Sequence, residues 1–472
     1  MKIEQIYTGC LAQGAYYIES NGEVAIIDPL REVQPYIEKA NKDGAMIKYV
    51  FETHFHADFV SGHVDLAGKT GAEIVYGPGA VPGFDAVIAT DGQEFRLGGA
   101  IIKVLHTPGH TMESSCFLLT EENGKTTSLF SGDTLFIGDV GRPDLAQKAA
   151  SMTQEELAGL LFDSLRNKIM PLANDIIVYP AHGAGSACGK NMSKETTDTL
   201  GHQKESNYAL RTDMTREEFV KEVTNGLMPP PAYFPLNVMM NKGGYESIDT
   251  VLERGRRALS VAAFEAAANE TGAMLLDTRD AQLFAAGFVP GSVNIGIKGN
   301  FAPWVGALIP DIKQQILLIA DPGTEDEVIT RLARVGYDFC IGYLDGGYAA
   351  WKEAGKEIDT IVSISAEELA ARQQVSDEIA IVDVRKRSEF LSEHIRGAVN
   401  TPLDDVNDSM QQLNKDDAFY IHCAGGYRSM IFISILKARG YKNLIDVKGG
   451  FKSIKDSAKF SLTEYVCPTT LL

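Results

Sequence analysis

The second half of the chain repeats itself, and this limits its possible architectures more than any other feature. Leu276-Asp277-Thr278-Arg279 answers Val382-Asp383-Val384-Arg385, and Gly291-Ser292-Val293-Asn294 answers Gly397-Ala398-Val399-Asn400. Gly336-Tyr337 answers Gly440-Tyr441, and Gly346-Gly347-Tyr348 answers Gly449-Gly450-Phe451. The offset is about 105 residues, a domain-sized period rather than a solenoid-sized one. Short apolar runs such as Ile379 to Asp383 read as buried strands, and they alternate with helical stretches such as Ser429 to Arg439. That alternation predicts two copies of one α/β domain with a parallel sheet, at residues 258–360 and 361–472. Residues 1–250 are left for a different domain, and the 472-residue chain is too long for a single core. Between them, residues 203–257 are rich in helix formers and contain Pro229-Pro230-Pro231, which predicts a helix and then an extended crossing.

In the first region, turn residues punctuate short apolar runs. Tyr16 to Glu19 and Glu23 to Asp28 flank Ser20-Asn21-Gly22 as a hairpin, a helical pattern covers Val33 to Asp43, and Met46 to Phe51 reads as a buried strand. That strand leads into Thr53-His54-Phe55-His56-Ala57-Asp58-Phe59, where His54, His56 and Asp58 fall on alternate positions. Imidazole and carboxylate together suit zinc, iron or manganese. Three further strand ends deliver ligand types: His110 after Pro108-Gly109, Asp133 after Ser131-Gly132, and His182 after Pro180-Ala181. Seven of the nine histidines lie within residues 1–202, so the metal belongs to this region. His106 and His63 read as satisfied core histidines, and His202 as an exposed one. Cys188, in the small-residue loop Gly185 to Gly189, lies close enough in sequence to this rim to be a candidate reactive thiol.

The four motifs in this order, HxHxD, TPGHT, SGD and PAHG, resemble the metallo-β-lactamase superfamily, which implies an αββα sandwich. Members with two metals read HxHxDH, whereas Phe59 holds the last position here. With Gly141-Arg142-Pro143-Asp144, the pattern is similar to the persulfide dioxygenases of that superfamily. The resemblance implies one Fe(II) per chain on His54, His110 and Asp133, with His56, Asp58 and His182 orienting those ligands. It also implies that Arg142 meets a carboxylate of the thiol carrier.

The repeated half resembles the rhodanese family: D-x-R, G-x-x-N, a strand entering a catalytic loop, then a Gly pair. In the second copy the strand Phe419 to His422 enters Cys423-Ala424-Gly425-Gly426-Tyr427-Arg428. Two glycines can turn backbone N–H groups toward the sulfur, the helix that follows favours a thiolate, and Arg428 adds a cation. In the first copy Asp321 takes the nucleophile's place. A carboxylate cannot carry sulfane sulfur, so that copy is expected to be inactive and to serve packing or spacing. The whole implies a persulfide dioxygenase–sulfurtransferase: a low-molecular-weight thiol persulfide and O2 give sulfite, and Cys423 passes sulfane sulfur to or from sulfite and thiosulfate. A glyoxalase II-like zinc thioester hydrolase with a sulfurtransferase domain is the alternative.

Net charge −19 argues against nucleic acid, and no apolar run approaches a membrane span. Six scattered cysteines without paired spacing, and no signal-peptide core, predict a reducing, cytoplasmic setting. A homo-oligomer is the expected assembly.

Overall fold

The structure is a computed structural model that describes residues 1–375 and 379–467. Its contacts divide the chain into two compact units. The first is Met1–Ile248 with Ala333–Gly336, and the second is Asp249–Leu332 with Tyr337–Leu472.

Two six-stranded sheets build the first unit. One runs Lys2–Thr8, Gln13–Ser20, Glu23–Ile27, Met46–Glu52, Glu73–Tyr76, Val87–Ile88. The other runs Asp198–Thr199, Ile177–Pro180, Thr126–Gly132, Ser115–Thr120, Ala100–His106, Glu94–Leu97. The expected hairpin is present as Gln13–Ser20 paired antiparallel with Glu23–Ile27. Alternation along these strands sorts side chains by face. Tyr16, Ile18, Phe51, Phe117 and Phe130 join one core, while Ala15, Tyr17, Val24 and Ile26 join another with Tyr36 and Leu66 of helices Gln34–Lys42 and His63–Thr70. A third core packs Leu161 of helix Gln154–Ser164 and Phe219 of helix Arg216–Thr224 onto Leu118, Leu129 and Val178. This is the αββα order. The shared core is aromatic: Phe51 meets Phe95 edge-on at 5.4 Å and Phe117 at 4.9 Å. Each such buried ring contributes about 1.5–3 kcal/mol. Pro229 to Pro231 separate helix Arg216–Thr224 from helix Phe234–Gly243, as expected of a crossing.

In the second unit two five-stranded parallel sheets share one strand order. The first is Ala258–Leu259, Cys340–Leu344, Ile316–Ile319, Met274–Asp277, Val293–Asn294, and the second is Val362–Ile364, Leu444–Val447, Phe419–His422, Ala380–Asp383, Val399–Asn400. The repeated sequence words have repeated structural causes. Arg279 Nη2 donates to Asp277 Oδ2 at 2.6 Å and lies 4.2 Å over the Tyr348 ring; Arg385 does the same to Asp383 at 2.6 Å, 3.9 Å over Phe451. Asn294 Nδ2 donates to the Asp277 and Arg279 carbonyls, and Asn400 Nδ2 to those of Asp383 and Arg385. The paired motifs are therefore one buried ion pair and one side-chain bridge, built twice. Among the described residues no helix is long and apolar enough to cross a membrane.

Candidate metal centre and candidate sulfur-transfer loop

In the first unit, strand ends carry each candidate ligand to one rim. Met46–Glu52 leads to His54, Ala100–His106 to His110, Thr126–Gly132 to Asp133, and Ile177–Pro180 to His182. All four side chains are buried. Gly132 has φ +53°, and a Cβ there would stand 2.7 Å from Cβ of Thr53, so only glycine lets Asp133 approach the His54 loop.

His54, His110 and Asp133 bring one ligand atom each within 4.8 Å of one another. Their neighbours fix the tautomers. His110 Nδ1 lies 2.8 Å from the Arg142 carbonyl, which can only accept, so Nδ1 carries the proton and Nε2 a lone pair. Thr53 Oγ1 donates to Asp28 Oδ2 at 2.8 Å, and His54 Nδ1, 3.0 Å from that Oγ1, is then the donor to it. Both Nε2 lone pairs face Asp133 Oδ2, at 3.8 Å for His54 and 3.4 Å for His110, and that oxygen has no hydrogen-bond partner. Three acceptors with no proton among them fit a cation, and the spacing suits ligands about 2.1 Å from one ion. Burial, with His56 alongside, pushes His54 well below the ordinary imidazole range. Burial alone would raise Asp133, but His182, bonded to its Oδ1, leads the groups that hold it well below the usual carboxylate range.

The other rim residues form two neighbouring clusters. His182 bridges two carboxylates, Nδ1 to Asp133 Oδ1 and Nε2 to Asp58 Oδ2, each at 2.8 Å. Burial opposes its charge, yet Asp133 and Asp58 raise it well above the normal imidazole range. Cys188 completes a cluster with Asp58 and His182. His56 turns elsewhere: its Nε2 lies 3.1 Å from Asp28 Oδ1 and 3.6 Å from Glu52 Oε2. Burial would lower His56, but Asp28 leads the groups that raise it to about 9. Phe59 is fully buried with its ring 4.4 Å from that of His56.

Cys188 and Arg142, both expected to be functional, are held in defined surroundings. Cys188 is buried, and burial, then Asp58 and Asp133, push its thiol up. Arg142 is held by partners within the chain. It is buried, with Nε and Nη2 on Asp144 at 2.6 and 2.7 Å and further bonds to the Ala187 and Met228 carbonyls. Its backbone receives His110 Nδ1 at the carbonyl and donates N–H to the Cys188 carbonyl, so it fixes the rim. Arg142→Ala strands a nearly buried Asp144 and is expected to cost about 3–5 kcal/mol in denaturant unfolding. A rise in KM with unchanged stability would support the substrate-binding role. Sequence reading also missed Asp28 and Glu52, whose signal was an acidic residue at the end of each of two adjacent buried strands.

In the second unit, Gly426 N donates to Cys423 Sγ at 3.1 Å, and helix Tyr427–Ala438 begins at once, two residues earlier than expected. Gly450 has φ +57°, and a Cβ there would lie 2.3 Å from the Cys423 carbonyl, which accepts from Phe451 N. The repeated Gly pair thus closes the back of the loop. Arg428 holds Glu389 through both Nη atoms, at 2.6 and 2.9 Å, so its cation is shared with a carboxylate. Asp321 follows Ile316–Ile319 as Cys423 follows Phe419–His422, and it is exposed.

These shapes have known relatives. The profile of the Metallo-beta-lactamase superfamily matches residues 8–182. A crystal structure of a metallo-beta-lactamase from Staphylococcus aureus subsp. aureus COL is 32% identical, covers 72% of this chain and 98% of its own, and superposes with a TM-score of 0.64. The chain belongs to the metallo-beta-lactamase superfamily. The rhodanese-like domain profile matches twice, at residues 260–354 and 365–457, so this superfamily member has two rhodanese domains. A persulfide dioxygenase of Homo sapiens is 28% identical over 46% of the chain and 78% of that protein. A hydroxyacylglutathione hydrolase of Methylococcus capsulatus is 36% identical over 26% of the chain and 46% of that protein. The chain spans about half the length of the hydrolases that it matches.

Proposed function

We propose that this protein oxidises a low-molecular-weight thiol persulfide with O2 to sulfite, and that its second rhodanese domain moves sulfane sulfur through Cys423, with thiosulfate as donor or product. The supporting observation is the convergence of two deprotonated Nε2 atoms and one unpartnered carboxylate oxygen from His54, His110 and Asp133. This is a two-histidine, one-carboxylate set that leaves positions open. Fe(II) held by His54, His110 and Asp133 would supply the redox chemistry that the oxidation needs. The chain's own part is to hold and orient. His182 fixes Asp133 through Oδ1 and leaves Oδ2 for the metal; Asp58 fixes His182; Thr53 and the Arg142 carbonyl fix the two imidazoles. His56 contributes by packing against His54, ring centroids 4.2 Å apart.

A second reading, a zinc thioester hydrolase, is supported by the hydroxyacylglutathione hydrolase relatives and by the Asp58–His182–Cys188 cluster. Against it, both His182 nitrogens are taken up by carboxylates, and Phe59 cannot ligate. Metal analysis of anaerobically purified protein separates the two. One iron per chain is expected for the parent, and Phe59→His is expected to raise zinc. Two zinc ions per parent chain would favour the hydrolase.

A further inference from the structure

Between the two rhodanese domains lies an open cavity of about 360 Å3, bordered by Gly425 and Gly426 of the Cys423 loop. That lies within the range of small-molecule sites, roughly 300–1,000 Å3. Gly425, Gly426 and Lys448 line it from the second copy; Asp280, Lys298 and Asp321 line it from the first. Side chains that cross between the copies fix its walls. Tyr427, the first residue of the helix after the loop, donates its hydroxyl to the Gly296 carbonyl at 2.7 Å. Its ring lies so close to Gly299 that a Cβ there would come within 2.4 Å. Gln282 Nε2 donates to Asp446 Oδ2 at 2.9 Å, and the Ser429 hydroxyl lies 3.0 Å from Asp446 Oδ1 and 3.2 Å from the Gly426 carbonyl. The copy without a nucleophile is therefore bonded to the loop that has one.

The charges in this cavity have both signs. Asp280 is engaged in capping helix Ala281–Ala286, accepting from Gln282 N at 2.9 Å. Lys298, Lys448 and Asp321 are exposed there; no ion pair or side-chain hydrogen bond is made by Lys298 or the Asp321 carboxylate among the described residues, and Lys448 lies near enough to Asp446 to act on its charge. A site for an oxoanion alone is lined by cations, and a site for an apolar thiol by hydrocarbon; this one presents two ammonium groups and a free carboxylate across a small space. We propose that the cavity binds a small zwitterionic thiol, bearing one ammonium and one carboxylate, as the acceptor of sulfur from Cys423. The ligand's carboxylate meets Lys298 and Lys448, and its ammonium meets Asp321. The proposal rests on the sulfurtransferase reading of Cys423. In the step itself, the acceptor thiolate attacks the outer sulfur of the Cys423 persulfide. A new S–S bond forms, the bond to Cys423 Sγ breaks, and its electron pair leaves on the Cys423 thiolate. The proton released when the acceptor ionised ends on the product persulfide, and no oxidant is needed. Asp321, the residue in the nucleophile's place in the first copy, thereby selects the substrate of the second.

The test compares two acceptors in thiosulfate-dependent sulfur transfer by the full-length protein: cysteine, and 2-mercaptoethanol, which lacks both charges. The parent is expected to prefer cysteine in kcat/KM. Asp321→Asn and Lys298→Gln should each shrink that preference by about fivefold, the scale of one exposed ion pair, through KM. Equal losses with both acceptors, or an undiminished preference, would overturn the proposal. Calorimetric titration with S-methylcysteine, which has both charges but accepts no sulfur, separates site from reaction. Binding to the parent that weakens in both variants supports the site even if no thiol is turned over, an outcome that would sink only the sulfurtransferase reading. Absent binding, or binding equal in all three proteins, overturns the site.

Discussion

Asp133→Ala is expected to abolish persulfide-dependent oxygen uptake and to lower bound iron by more than about a hundredfold. Loss of a residue that merely supports a ligand costs roughly 10–100-fold in metal affinity, and here the ligand itself is removed. Asp133 Oδ2 is the unpartnered oxygen facing His54 and His110 at 3.8 and 3.4 Å, and among the described residues no other carboxylate joins their cluster. Asp133 Oδ1 also neutralises His182 at 2.8 Å. Asp133→Asn distinguishes the two jobs, since its single carbonyl oxygen can serve the metal or His182 but not both. An oxygen electrode and iron analysis read both variants; full uptake in the alanine variant would sink the assignment.

The second large effect is in product speciation. Cys423→Ser should leave oxygen uptake with added persulfide largely intact and abolish thiosulfate:thiol sulfur transfer. The hydroxyl fits beside Gly426 N, which now donates to Sγ at 3.1 Å, but serine is a far weaker nucleophile and its oxygen forms no persulfide. Sulfite should accumulate where the parent makes thiosulfate. Arg428→Ala should be milder, because Arg428 is already paired with Glu389. Thiosulfate formed at the parent rate by the Cys423→Ser variant would mean that the relay runs elsewhere, with Cys188 the next thiol to test.

Much of this was legible from sequence because the informative words are local. A strand that ends in a ligand needs only an apolar run and the residue after it, so His54, His110, Asp133 and His182 could be placed on one rim from four short stretches. The repeat was legible because each word has a nearby structural reason, such as the Asp277–Arg279 pair two residues apart. What was missed depends on distant partners. Thr53 is anchored by Asp28 from the neighbouring strand, and Cys188 reaches the Asp58–His182 pair through a loop without regular structure. The partners of Arg142 were also not anticipated. Its guanidinium turns back onto Asp144, two residues on, a pairing that the short Gly141-Arg142-Pro143-Asp144 stretch did not reveal. The contribution of the first rhodanese domain to the cavity beside Gly425 and Gly426 was invisible because spacing between repeats says nothing about how they pair.

The central claim is tested most directly by the parent protein's own trace on the oxygen electrode. Iron-loaded protein, purified anaerobically, is given a low-molecular-weight persulfide, and O2 consumption and sulfite are followed together. The account predicts that each persulfide consumes one O2 and one water and yields one sulfite and the free thiol. No oxygen uptake from iron-loaded protein, with ready hydrolysis of a thioester by the same preparation, would contradict it.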